Sequence, residues 1–159
     1  MADLALATAG GKVILATCYD ERFPPESVID GNRNTLWATT GLFPQEIVVS
    51  LPEVSDVKRI TTVTMHVKKL IVETCSTERP VAFEKAFEAD LTNTKNQLQT
   101  ETHQQFKNTN TLRAKFIKFI VESGYQPFAG VGKLSVIGDG DAAGAEGGRY
   151  LDEEVEDDD

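Results

Sequence analysis

Apolar residues recur at every second position along most of this chain, not at every third or fourth, and that period restricts it to β-structure. Val13-Ile14-Leu15-Ala16-Thr17 and Glu46 to Leu51 are short β-branched runs bounded by Gly, Pro and Asp, the composition of strands. From Val57 to Val67 the alternation puts Val57, Thr61, Val63, Met65 and Val67 on one face. It puts Lys58, Thr62, Thr64 and His66 on the other, as in a half-buried antiparallel strand. Leu70 to Thr74 and Val81 to Glu84 supply two further strands, whereas Phe83 to Leu91 suits a strand or a short helix equally. The segment 92–111, rich in Thr, Asn and Gln, reads as loops and an edge hairpin.

Ala114 to Glu122 is apolar on both faces. Ile117, Phe119 and Val121 lie on one, and Phe116 and Ile120, interrupted by Lys118, on the other. Such a strand needs cover on both sides, from a loop of the same chain or from a partner protein. Phe116, Lys118 and Ile120 are therefore candidate partner-binding residues. With a closing strand over Lys133 to Gly138, about eight short strands and no alternating helices predict an all-β fold, an antiparallel β-sandwich.

The charge is unevenly placed. Residues 1–138 hold 15 acidic and 15 basic residues, whereas 139–159 hold ten acidic residues and only Arg149, which accounts for the whole net charge of −9. The body is thus expected to be a neutral domain over 1–138, followed by a disordered acidic tail over 139–159. That tail reads either as a solubilising segment or as an acidic docking peptide. A neutral body gives nucleic acid no basic patch, and the tail repels phosphate. No apolar run approaches a membrane span, and no basic region with a long apolar core marks a secretory signal. Cys18 and Cys75 read as reduced thiols.

The most chemically suggestive stretch runs from Pro24 to Trp37. Around an Asp30-Gly31 turn it sets a carboxylate at Asp30, an amide oxygen at Asn32 and a hydroxyl at Thr35. Hard cations such as calcium take roughly six to eight oxygens from side chains and carbonyls on a sharply turned backbone. An EF-hand is excluded, because its required Gly and bidentate Glu fall on Thr35 and Gly41. What stays open is a looser cation site or a plain turn whose Asp and Thr satisfy backbone amides. Trp37, the lone Trp, reads as core. Tyr19, Phe23, Phe43, Tyr125 and Phe128 lie in loop-like segments, where they either grip a ligand or plug the ends of the sandwich. His66 and His103 have no nucleophile or metal-ligand partner near them in sequence, and no phosphate loop, zinc spacing or nucleophile elbow is present. Nothing argues for an enzyme.

The run Asp30-Gly31-Asn32-x-x-Thr35-x-Trp37, the all-β body and the closing strand ending in Gly138 resemble galactose-binding-like jelly-roll domains, the group of the discoidin modules. Within that group, Val13 to Thr17, Pro24-Pro25-Glu26, Ile29-Asp30-Gly31-Asn32 and Thr39-Thr40-Gly41-x-Phe43-Pro44-Gln45-Glu46 resemble the intraflagellar transport protein 25 family, formerly labelled small heat-shock proteins. Weaker matches at Pro80 to Glu84, Asp90-Leu91 and Gln97 to Gln99 extend the resemblance over residues 4–138. It implies a non-catalytic adaptor of the intraflagellar transport B complex, in the cilium or flagellum and basal body with a cytoplasmic pool. Its implied partner is a Rab-like small GTPase, intraflagellar transport protein 27. The resemblance also implies a calcium ion held by the Asp30 carboxylate, the Thr35 hydroxyl and carbonyl, and the carbonyls of Ser27 and Asn32. The closing strand of the wider group adds a carbonyl and a Glu, which fall here on Gly132 and Lys133, so one carboxylate is missing and the site is expected to be weaker. The wider group supports an alternative, a carbohydrate- or lipid-binding module.

Overall fold

A computed structural model of the chain describes residues 2–106 and 109–140. Among these lie nine strands: β1 (Ala2–Asp3), β2 (Lys12–Ala16), β3 (Trp37–Ala38), β4 (Gln45–Met65), β5 (Val67–Cys75), β6 (Glu84–Asp90), β7 (Gln99–His103), β8 (Leu112–Gly124) and β9 (Gly130–Gly140). Every pairing between them is antiparallel. The fold is the expected all-β jelly roll.

Strand β4 organises the whole. The two strands expected over 46–51 and 57–67 are one continuous 21-residue strand. Its first half lies between β2 and β8, with Val49 opposite both Val13 and Ile117. Its second half lies between β9 and β7, with Thr62 opposite both Leu134 and Glu101. The pairing with β8 slips between Ser50 and Ser55, and there the strand passes from one layer to the other. One layer is thus β2–β4–β8–β5–β6, and the other is β7–β4–β9 with β1 and β3 on its far edge.

A second irregularity reverses an expectation. The β4–β9 register shifts between Val57 and Arg59, which leaves both Lys58 and Arg59 exposed. One added residue transfers every following side chain to the opposite face. Thr62, Thr64 and His66 are therefore buried, while Thr61, Val63 and Met65 are only half-buried. His66 is not an ordinary strand residue. It holds φ at 66° in the one-residue corner between β4 and β5, where its carbonyl accepts from the Tyr125 amide at 2.9 Å. The Phe83–Leu91 ambiguity resolves as strand, beginning at Glu84. Val81 of the expected 81–84 strand is instead in a turn and exposed. The closing strand runs two residues past the expected boundary, to Gly140, and the remainder of the tail lies outside the described residues.

The core forms between the layers around Trp37, Ile47, Ile60, Leu70, Ile117 and Phe119, all at most 2% exposed. Trp37 is fully buried and its indole N–H donates to the Cys18 carbonyl at 3.1 Å, which satisfies the one polar atom a buried Trp brings inside. The N-terminus is tied down by Asp3. Its carboxylate accepts from the Val136 amide at 3.0 Å, the Ala5 amide at 3.1 Å and the Ser135 hydroxyl at 3.0 Å.

Candidate functional site

The Asp30 turn follows a short 3₁₀ segment, Pro25–Ile29, whose Pro25, Ser27, Val28 and Ile29 are buried and anchor it to the core. Gly31 then takes φ 75°, a left-handed conformation that costs glycine little and reverses the chain at once. This reversal folds the polar side chains back on their own backbone. Asp30 Oδ1 accepts from the Asn32 amide at 2.8 Å, and Asp30 Oδ2 from the Thr35 hydroxyl at 2.7 Å. The Thr35 hydroxyl also lies 3.2 Å from the Asn32 carbonyl oxygen. Asn32 Oδ1 accepts from the Asn34 amide at 2.9 Å.

Of the residues the sequence proposes as cation ligands, the structure therefore brings Asp30, Asn32 and Thr35 into direct contact. Ser27 is buried beneath them, its amide donating to the Pro24 carbonyl at 3.1 Å. Gly132 is on β9, and it shares with Asn32 the walls of a cleft of about 350 Å³. Lys133, which stands where a Glu is expected, lines the same cleft. Among the described residues no three His, Cys, Asp or Glu side chains cluster as a metal site, and of the proposed ligands Asp30 alone brings a carboxylate. A carboxylate oxygen, a hydroxyl and a carbonyl around one small volume are the donor types a hard cation takes, and the trio fits one in kind while supplying a single charge.

A second region lies on the outer face of the β2–β4–β8–β5 sheet. Register places Glu46 opposite Ile120 and Ile120 opposite Ile71, and in the next row Leu15, Val48, Lys118 and Glu73 lie side by side. The Lys118 ammonium is 4.0 Å from both the Glu46 and the Glu73 carboxylate and 4.4 Å from the centre of the Phe83 ring. Phe83 comes from the turn before β6 and closes over Val48, Cys75 and Phe116. Of the three partner-binding candidates, Phe116 is thus covered by the chain itself at 5% exposed, and Lys118 and Ile120 are half-buried. Ile14 and Leu15, at 44% and 47% exposed, are the apolar residues that face solvent on this edge. Sequence reasoning missed them because β2 reads as an ordinary core strand. Its register slips between Val13 and Leu15, which turns side chains of an apolar run outward.

The loop aromatics divide. Phe43 packs on the core and the Tyr125 hydroxyl donates to the Leu91 carbonyl at 2.5 Å. Tyr19, Phe23 and Phe128 are exposed at 66%, 38% and 44%. Burial holds the His103 imidazole below its ordinary pKa, with the Glu101 charge partly opposing, and the ring stacks on Phe87 at 4.3 Å.

No protein-family model matches the chain. Among solved structures, the family 32 carbohydrate-binding module from C. perfringens NanJ in complex with galactose superposes with a TM-score of 0.68 at 21% identity, over 85% of this chain and 97% of that one. Chitosan-binding module 1 of a Paenibacillus chitosanase/glucanase gives 0.68 at 19% identity, over 87% and 100%. Likeness at this level establishes the fold and nothing more. Sequence relatives say more. Intraflagellar transport protein 25 of Chlamydomonas reinhardtii is 48% identical over 138 residues, which is 87% of this chain and 70% of that protein. Its Homo sapiens homologue is 38% identical over 136 residues, 86% of this chain and 92% of that protein. Identity of this degree over 86–87% of the chain shows the family, and the chain belongs to the intraflagellar transport protein 25 family.

Proposed function

We propose that this protein is a non-catalytic adaptor subunit of the intraflagellar transport B complex, working in the cilium or flagellum and basal body with a cytoplasmic pool. It pairs there with the Rab-like small GTPase intraflagellar transport protein 27. The observation that carries this reading is the 48% identity over 138 residues, 87% of this chain. The outer face of the β2–β4–β8–β5 sheet supports it. Ile14 and Leu15 are exposed on an edge strand, beside half-buried Ile71 and Ile120 and a Glu46–Lys118–Glu73 triad of net charge −1. An apolar edge left bare invites pairing with further strands, so a stable partner over it removes a liability. An obligate-type interface buries upwards of about 2,000 Å² with an apolar centre. Calcium at the Asp30 turn would be structural, with Asp30, Thr35, Asn32, Ser27 and Gly132 holding it and rigidifying the loop.

Co-expression with the GTPase followed by size-exclusion chromatography tests the adaptor reading. One-to-one co-elution is expected, and the double variant Ile14→Glu, Leu15→Glu should elute apart from the GTPase while keeping its β-sheet circular dichroism. Separate elution of two folded unmutated proteins would overturn the reading. The galactose-bound fold neighbour, together with exposed Tyr19, Phe23 and Phe128, favours as second reading a carbohydrate- or lipid-binding module. Saturable binding on a glycan array or to liposomes would bring that reading forward.

A further inference from the structure

The cleft beside the Asp30 turn shares Asn32 and Gly132 with the candidate cation site, but its remaining lining has a chemistry that a cation would not use. Its floor is apolar, from Val63 of β4 and Leu98 ahead of β7, and Leu98 is 45% exposed there. Gly31 and Gly132 contribute no side chains to fill it. A methyl group added at Gly132 would touch Val63 and Leu98 at only ordinary contact distance, 3.7 and 3.8 Å. Its rim carries two cations, Arg33 and Lys133, and among the described residues neither has an ion-pair partner. A cleft with a greasy floor and a doubly cationic rim selects a ligand that offers apolar side chains next to carboxylates.

The chain itself contains such a ligand. After Arg149 comes Tyr150-Leu151, followed by Asp152-Glu153-Glu154 and four more carboxylates within 155–159. The geometry allows its return. Strand β9 leaves the cleft at Gly132 and ends at Gly140, a distance of about 26 Å at ~3.3 Å per residue. Residues 141–150 can span up to about 33 Å, so the chain between Gly140 and Tyr150 is long enough to return to the cleft. Residues 141–159 carry nine acidic residues and one Arg, a net −8 to set against the rim. Tethering holds them near it at an effective concentration of order millimolar.

We propose that this cleft is a receptor for an apolar–acidic peptide and that its resident occupant is the chain's own segment Tyr150–Asp159. Tyr150 and Leu151 rest on Val63 and Leu98, and the carboxylates from Asp152 to Glu154 meet Arg33 and Lys133. The tail then shields the cleft, and an external peptide of the same chemistry must displace it.

The test uses the full-length chain throughout, ¹⁵N-labelled and in chelator so that cation binding at Asp30 is not a variable. Two full-length variants are compared with the unmutated chain, Tyr150→Ala/Leu151→Ala and Arg33→Glu/Lys133→Glu. The first should shift the amides of Gly31 to Arg33, Leu98 and Gly132 to Lys133. The second should shift those of Tyr150 to Glu154, and both signatures should fade as salt rises to about 0.5 M. A synthetic peptide of residues 148–159 should bind the Tyr150→Ala/Leu151→Ala chain at the cleft roughly tenfold more tightly than it binds the unmutated chain, whose tail competes. Cleft amides that ignore the tail substitutions would overturn the proposal. So would a peptide that binds both chains alike, or one that binds elsewhere on the surface.

Discussion

Replacing Asp30 by asparagine separates two roles that a single carboxylate plays. In the turn, Oδ1 accepts from the Asn32 amide and Oδ2 from the Thr35 hydroxyl. Asparagine keeps an oxygen for the first bond, and its amide N–H can donate to the Thr35 hydroxyl, which turns to accept. The side chain is exposed, so the loss in the absence of metal is the difference between charged and neutral hydrogen bonds, about 1 kcal/mol or less. As a cation ligand the same change removes the only formal negative charge among the proposed ligands Asp30, Asn32, Thr35, Ser27 and Gly132. At calcium about 100-fold above its Kd, bound ion stabilises the unmutated protein by ~2.7 kcal/mol. Unfolding a body of about 140 residues at ~2.1 cal/mol/K per residue gives an entropy near 0.3 kcal/mol/K, so calcium should raise Tm by about 9 °C. Asp30→Asn should lower Tm by no more than about 3 °C in chelator and abolish the calcium-dependent rise. Differential scanning calorimetry with calcium and with chelator reads both numbers. An unmutated protein whose Tm ignores calcium would refute the cation reasoning and leave the plain turn. An Asp30→Asn variant that keeps the full rise would show that the ion binds without this carboxylate.

Three more predictions rest on single contacts. Asp3→Ala strips acceptors from the Ala5 and Val136 amides and should cost about 2–3 kcal/mol by urea denaturation, with a cost under ~0.5 kcal/mol showing that β1 does not pin the fold. Thr62 and Thr64 bury hydroxyls that have no partner among the described residues, so Thr62→Val or Thr64→Val should stabilise by about 1 kcal/mol, and a loss of stability would reveal a buried water bonded there. For His103, a folded pKa below the unfolded value means that the unfolded chain takes up its proton first. Stability should therefore fall as pH drops through about 6.5 towards the folded pKa, and be unaffected by this group above that window. His103→Gln should flatten that slope in pH-dependent melts, and an unchanged slope would assign it to other groups.

The sheet content, the two-sided burial of β8 and the core position of Trp37 were all legible, because each depends on period and residue type along a short stretch. What was not legible depends on register. The slip between Val57 and Arg59 moves Thr62, Thr64 and His66 inward and Val63 outward, and no alternation within 57–67 announces it. The same blindness hid Ile14 and Leu15, and it hid the Glu46–Lys118–Glu73 triad, whose members lie on three strands and meet only by pairing. In the Asp30 turn, the contacts among Asp30, Asn32 and Thr35 were legible because they are local. Leu98 and Val63 as walls of the adjoining cleft were not, since they arrive from β4 and the approach to β7.

Strand β4 has a consequence for how the protein is made. Of the strands that pair with it, only β2 precedes it, and β7, β8 and β9 all follow residue 98. Ribosomes deliver about 5–20 residues per second, so a 21-residue strand rich in Val and Ile waits for roughly 4–15 s with most of its backbone groups unpaired until β9 has emerged. During that interval the nascent chain is a template for any other exposed strand, and a holding chaperone is its natural protection. Premature stops ahead of Leu112 leave β4 without β8 and β9 permanently, and their products should be cleared or aggregate instead of surviving as partly active fragments.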